Sequence, residues 1–326
     1  MKRWIALVLA LALGSARAET LSPVTGLPLS GGSVRPVLLS IVHTADGKQP
    51  WGIQHADIVY ESLLSASGQT RFACLFHDAL ANGETVQAGP VRSIRQSHVK
   101  LAAEWQAALI YAGATAGNRR GAPSLRDLST PFYSAQDSRV RPYASRLKPS
   151  GVRRHKAPSN LSVDVSGAAA EIGGGFLGNG FCFAWENPYA DFPKAAQVVV
   201  DWGDPRYMCT YIYEETRSKY LRFEGKNPAM TWHGSTGDGQ SQLAFDNVVV
   251  QYVDYAWLDG SNWLPDAQLE EAGRAVIFTR GRVIEGTWFF DGFTHFEDET
   301  GAEVQLVPGK TYVAHLPMNG GKLEWE

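Results

Sequence analysis

The sequence predicts an α+β protein: a mixed-sheet N-terminal domain with helical cover, followed by a β-rich C-terminal domain. Three observations carry that expectation. The first third of the chain alternates apolar strand-like runs with one amphipathic segment in a β-β-β-α-β order, which argues a mixed sheet. The last 120 or so residues (about 207–326) show short aromatic-rich runs broken by turn residues at regular intervals. Between them, over about 166–205, glycine and proline are frequent, as at a domain junction. With 326 residues, 44% of them hydrophobic, the chain has enough material for two domains, set here at 19–185 and 186–326.

The first residues address the chain. Lys2-Arg3, an apolar run from Trp4 to Leu13, and Ala16-Arg17-Ala18 before Glu19 form a secretory signal peptide over 1–18. No comparable apolar run follows, so no transmembrane span is expected in the mature chain, which is read as periplasmic or secreted. The cysteines are Cys74, Cys182 and Cys209, so no lipobox cysteine stands after the signal. Cys74, inside Phe72-Ala73-Cys74-Leu75-Phe76, reads as a buried apolar residue. Cys182 and Cys209 lie in aromatic strand-like runs and are the pair favoured if one disulfide forms.

Along the chain, strands are expected at 36–42, 57–63 and 71–76, then a helix after Gly89-Pro90 to about Ala107, then a strand at 108–112. A short helix near 118–128 and a long arginine- and proline-rich loop to 160 follow. Gly173-Gly174-Gly175 lacks a preceding strand and dinucleotide spacing, so it reads as a turn. Further strands are expected at 196–201, 209–213, 220–223, 248–253, 275–280, 282–289, 303–307 and 312–316.

Charge is unevenly spread. Without the signal peptide, 27 basic and 33 acidic residues remain, a net of −6. Residues 90–160 hold 13 basic and 3 acidic residues, so this segment is +10 and the remainder −16. A solvated face is one reading of such a cluster; a field that gathers an anionic partner is the other. Outside the cytoplasm nucleic acid is not an expected partner, which leaves anionic envelope material such as peptidoglycan.

The chemistry is expected around Gly89-Pro90-Val91-Arg92-Ser93-Ile94-Arg95. Arg92 and Arg95, three apart, share a face if both are helical. A helix N-terminus already carries partial positive charge, so two guanidiniums there require an acidic counterpart. One candidate is internal, with Glu61 the first choice; the other is a ligand anion held by Arg92, Arg95, Arg71 and free backbone N–H groups. Ser93, Asn160 and Lys156 complete the candidate binding set.

No complete catalytic pattern is present. Ser145-Arg146-Leu147-Lys148 matches Ser-x-x-Lys, but its partner elements are missing, because Lys310-Thr311 is followed by tyrosine. The eight histidines form no His-x-x-x-His or His-Glu-x-x-His arrangement, so no metal is expected; no Walker loop or Gly-x-Ser-x-Gly elbow implies a cofactor or an esterase. A cell-wall hydrolase using Glu61 is the enzymatic alternative, and an envelope-protein scaffold is a third reading.

Several ordered motifs resemble a known family. Ala56-Asp57-Ile58-Val59-Tyr60-Glu61, Thr70-Arg71-Phe72, Gly89-Pro90-Val91-Arg92-Ser93, Lys156-Ala157-Pro158, Tyr220-Leu221-Arg222-Phe223, Asn247-Val248-Val249-Val250-Gln251 and Glu285-Gly286-Thr287-Trp288 resemble the YerB-like bacterial cell-envelope lipoproteins. The resemblance implies an N-terminal domain joined to a C-terminal β-rich one, an extracytoplasmic location, and no established reaction. Departures include Ile41-Val42-His43 where the family has Asp-Asn-His, Ser159 in place of a histidine, and the absent lipobox cysteine. Fewer groups are left to shuttle protons near neutral pH, so binding is expected rather than acid–base chemistry.

Overall fold

The computed structural model describes residues 20–43, 49–114, 132–147, 156–176, 178–234, 239–258 and 264–326. The signal peptide and the expected 118–128 helix lie outside the described residues, as do six of the thirteen basic residues of 90–160.

The apolar runs of the N-terminal half become β1 (Val37–Ile41), β2 (Ile58–Leu63) and β3 (Thr70–Phe76), all buried along their length. A four-residue helix α1 (Asp78–Ala81), the helix α2 (Gln96–Glu104), β4 (Ala108–Tyr111), β5 (Phe132–Ser134) and α3 (Val165–Ile172) complete that half's main elements. The C-terminal half contributes β6 (Gln197–Asp201), β7 (Cys209–Glu214), β8 (Lys219–Glu224), β9 (Asn247–Val253) and β10 (Ala272–Thr279). It ends with β11 (Arg282–Phe290), β12 (Thr294–Asp298), β13 (Thr311–Pro317) and β14 (Lys322–Trp325). The strand expected at 303–307 is not a ladder strand; its ends make only isolated bridges at Glu303 and Leu306.

Ten of these strands form a single mixed sheet in the order β12-β11-β10-β9-β13-β2-β3-β1-β4-β5. The two halves of the chain share it. β13 pairs in parallel with β2 of the N-terminal half and with β9 of the C-terminal half. Strands of such a sheet are covered on both faces, which is why β2, β3 and β13 are buried throughout and read as mostly apolar runs, with Glu61, Arg71 and His315 as the buried ionisable exceptions.

The cover differs from the expectation. Among the described residues the α-helices have four, nine and eight residues. One face of the large sheet packs instead against a second sheet built from β8, β7, β6 and β14 with two short flanking strands; Val198, Val200, Tyr211 and Phe245 meet Val59, Phe72, Cys74 and Tyr312 in one core. On the opposite face α2 sends down Val99, Leu101 and Trp105 beside Leu38, Tyr60 and Leu75. The architecture is therefore mostly β, with helical cover limited to α2 on one face and the short α1 and α3 at the margin of the other. The triple glycine follows α3: Gly173 caps it at φ +68°, a backbone state that favours glycine.

All three cysteines are free. Cys209 is buried between the two sheets near the Val200 carbonyl and the Tyr211 hydroxyl, whereas Cys182 is half-buried beside Gln305. The pairing of Cys182 with Cys209 is therefore not made. Cys74 is buried as expected, and burial pushes its thiol far up from the ordinary range.

Candidate functional site

Strand alternation decides which of the candidate residues can meet. In the β2–β3 ladder Glu61 lies opposite Phe72, and Ser62 lies opposite Arg71. Side chains directly opposite share a face, and neighbours along a strand point to opposite faces. Glu61 therefore enters the core between the two sheets, while Arg71 points to the α2 side.

Glu61 is fully buried and its partner is Arg222 of β8, at 2.8 Å from Oε2. The Tyr312 hydroxyl donates to the same oxygen at 2.7 Å, the Thr70 hydroxyl donates to Oε1, and His43 Nε2 lies 3.4 Å from Oε1. Burial pushes the carboxyl up, but Arg222, His43 and Thr70 outweigh it and hold it below the usual carboxylate range. Arg222 is itself fully buried, donates to the Tyr211 hydroxyl at 2.5 Å, and sits 5.0 Å from the Phe72 ring centroid. The expectation that Glu61 orients Arg92 and Arg95 is thus corrected: it neutralises an arginine from the other half of the chain, across the sheet-to-sheet core. A sealed carboxylate with a depressed pKa has neither the access nor the proton that a hydrolytic general acid needs.

The expected arginine face assembles on the other side, with one change of geometry. Arg92 is not helical. Residues 89–94 run extended, with Arg92 N–H donating to Ser40 O, Ala112 N–H to Arg92 O and Ile94 N–H to Gly113 O. The helix begins later, with Arg95 at its N-cap position in extended conformation (φ −125°, ψ 167°). The two arginines therefore meet by chain path and not by helical periodicity.

Arg71 donates Nη1 to the Ser93 carbonyl at 2.9 Å, which also accepts from Ser40 Oγ at 2.8 Å. Arg92 donates to Ser159 Oγ at 2.7 Å, and Arg95 Nη1 to the neighbouring Ile94 carbonyl at 2.8 Å. Arg95 Nε is buried and makes no hydrogen bond, and among the described residues no carboxylate lies at ion-pair distance from Arg95. Burial first, and then the Arg92 charge, lower the Arg95 pKa to about 10. His98, buried one turn into α2, is pushed well below the ordinary histidine range by burial and by Arg71, Arg95 and His315. It stays neutral in a cationic neighbourhood.

The remaining candidates are placed as follows. Ser93 is half-buried with Oγ 3.3 Å from the Ala112 carbonyl. Asn160 accepts from Arg146 at 2.9 Å and donates to the Leu147 carbonyl at 2.8 Å, so its amide is committed to the loop that holds Ser159. Lys156 is exposed. Ser145 is exposed on a short strand, and Lys148 lies outside the described residues.

Sequence reasoning missed Arg222. Its signal was present: in Tyr220-Leu221-Arg222 the first and third residues take the inward phase of the strand, so an arginine stands where an apolar residue belongs. An inward arginine implies a buried carboxylate, and β2 supplies Glu61.

These features define a two-sheet, mostly β protein whose halves are joined through one mixed sheet and a buried Glu–Arg pair, with a cation-rich face beside α2. Residues 24–165 match the N-terminal domain, and residues 198–313 the C-terminal domain, of the family described as protein of unknown function DUF3048. The chain belongs to that family. It is 26% identical over 304 residues to "Putative lipoprotein YerB" of Bacillus subtilis (strain 168), covering 91% of this chain and 86% of the relative. The crystal structure of the Bacillus subtilis YerB protein has the same fold, with a TM-score of 0.75 and 22% identity, over 94% of this chain and all of the other. No helix among the described residues is long and apolar enough to cross a membrane.

Proposed function

We propose that this protein is an exported envelope protein that holds an anionic group, most simply a peptidoglycan stem carboxylate, against Arg71, Arg92 and Arg95. The observation that carries the reading is Arg95: a half-buried guanidinium at a helix start, beside a second arginine, with its Nε unbonded and no carboxylate at ion-pair distance among the described residues. A guanidinium at a helix N-terminus with no carboxylate beside it is costly unless an anion joins it. Ser159, which meets Arg92, supplies the neutral hydrogen bond expected of Ser93 or Asn160, and exposed Lys156 lies at the margin of the same loop. Glu61 supports the site only at a distance, by locking the sheet from which Arg71 projects. Lys2-Arg3 and the apolar run from Trp4 to Leu13 support the export part of this reading.

Arg92→Ala with Arg95→Ala is expected to abolish co-sedimentation with purified sacculi while leaving the thermal melt within a few degrees of wild type. Retained sedimentation in a folded double variant overturns the assignment. Sacculi incubated with wild-type protein are expected to release no soluble fragments, since Glu61 is inaccessible; release would favour the hydrolase reading.

A further inference from the structure

The parallel triplet β2, β13 and β9 ends at one place. The last residues of these strands, Leu63, Pro317 and Val253, all line a cleft of about 390 Å³. The cleft therefore opens outside the carboxyl ends of parallel strands, the position at which sheets of this kind most readily build a ligand site, and its volume falls in the range of small-molecule pockets. It draws on both halves of the chain, with walls from the β2–β3 turn, the loop after β6 and the segments following β9 and β13.

The wall chemistry selects the occupant. Trp202, Tyr255 and Trp257 give aromatic surface; Asp254, Ser67 and Asn319 give polar groups, and these three are exposed. Among the described residues the lining has no lysine, arginine or histidine, and its charged group is the Asp254 carboxylate. Phosphate esters and carboxylates are therefore repelled, which separates this cleft from the arginine face. A hydrocarbon chain would leave the polar wall unpaired. The indole N–H of buried Trp202 finds no acceptor among the described residues.

Three glycines shape the turns that wall the cleft. Gly68 has φ +84°, and a Cβ there would stand 2.5 Å from the Trp202 carbonyl; Gly203 and Gly320, at φ +87° and +99°, line the same walls.

We infer that this cleft is a binding site for an uncharged saccharide, with the C–H face of a sugar ring on Trp257 and its hydroxyls on Asp254, Asn319 and Ser67. Aromatic platforms beside carboxylate and amide side chains match a molecule that is apolar on its ring faces and polar at its rim. The inference is independent of the arginine site.

The test is calorimetric titration of the full mature chain with N-acetylglucosamine tetramer and, separately, with maltotetraose. Saturable binding of at least one is expected, weakened about tenfold or more by Trp257→Ala and severalfold by Asp254→Asn, and unchanged by Arg92→Ala with Arg95→Ala. Trp257→Phe, which keeps an aromatic face, is expected to recover most of the affinity and guards against a folding defect in the alanine variant. The inference is overturned by no saturable binding of either sugar up to about 10 mM, by equal affinity in folded Trp257→Ala, or by displacement of the sugar with inorganic phosphate.

Discussion

Replacing Arg222 with methionine removes the cation from a carboxylate that has no route to solvent. At 2.8 Å the Glu61–Arg222 attraction is about 6 kcal/mol for an effective dielectric constant of about 20, before the cost of desolvating both groups. Breaking a buried pair from one side typically costs about 3–5 kcal/mol, because the remaining charge keeps its burial and loses its partner. Arg222 already leaves Nε and Nη2 without hydrogen bonds, so removing it relieves some strain and places the expected cost near 3 kcal/mol. Urea denaturation at pH 8 measures it. Glu61→Gln combined with Arg222→Met is expected to recover most of that loss, since no charge is then stranded. The pH dependence follows from signs. In the wild type the folded Glu61 pKa is depressed, so its contribution is present above the unfolded carboxyl range and is lost only as pH falls through the lower folded value. In Arg222→Met burial dominates and the folded pKa rises, so the penalty is present at pH 8 and fades as pH falls toward 5. A cost below about 1 kcal/mol, or a gap from wild type that does not narrow on acidification, refutes the assigned pairing.

Three more outcomes are expected. Glu104 accepts the Thr294 N–H at 2.8 Å, and burial raises its pKa to about 7, so the folded chain takes up a proton that the unfolded chain releases near pH 4.5. The penalty is present above that range, and Glu104→Gln gains on wild type between pH 5 and 8 by up to about 3 kcal/mol, less because the residue is half-buried overall; equal gains at both pH values sink this account. In thiol titration of the native protein Cys182 reacts first, with Cys74 and Cys209 reacting only on unfolding; a native protein with one reactive thiol in denaturant would instead carry a disulfide. Gly68→Ala, with φ +84° and the Trp202 carbonyl at 2.5 Å from a new Cβ, is expected to lower stability by about 1–3 kcal/mol in denaturant melts, and an unchanged midpoint contradicts the geometry.

Much of the strand framework was legible because buried strands are written as local apolar runs. Residues 58–63, 70–76, 247–253 and 311–317 announce themselves without reference to partners. Helix position was less so: Ile94 continues the apolar rhythm of α2, yet hydrogen bonds from Ser40, Ala112 and Gly113 hold 92–94 extended. Those bonds come from β1 and the end of β4, far along the chain. The arginine face was legible as composition, but the identity of its neighbours was not.

The amino-acid order alone determined the mixed sheet, the β-rich second half and the crowding of cations near residue 92, since each depends on periodicity or charge within a short window. Only the tertiary structure decided that Glu61 answers Arg222 and that Arg71 faces the other way. A two-residue strand period sends adjacent side chains to opposite faces, while the ladder of β2 with β13, some 250 residues apart, decides what each face meets.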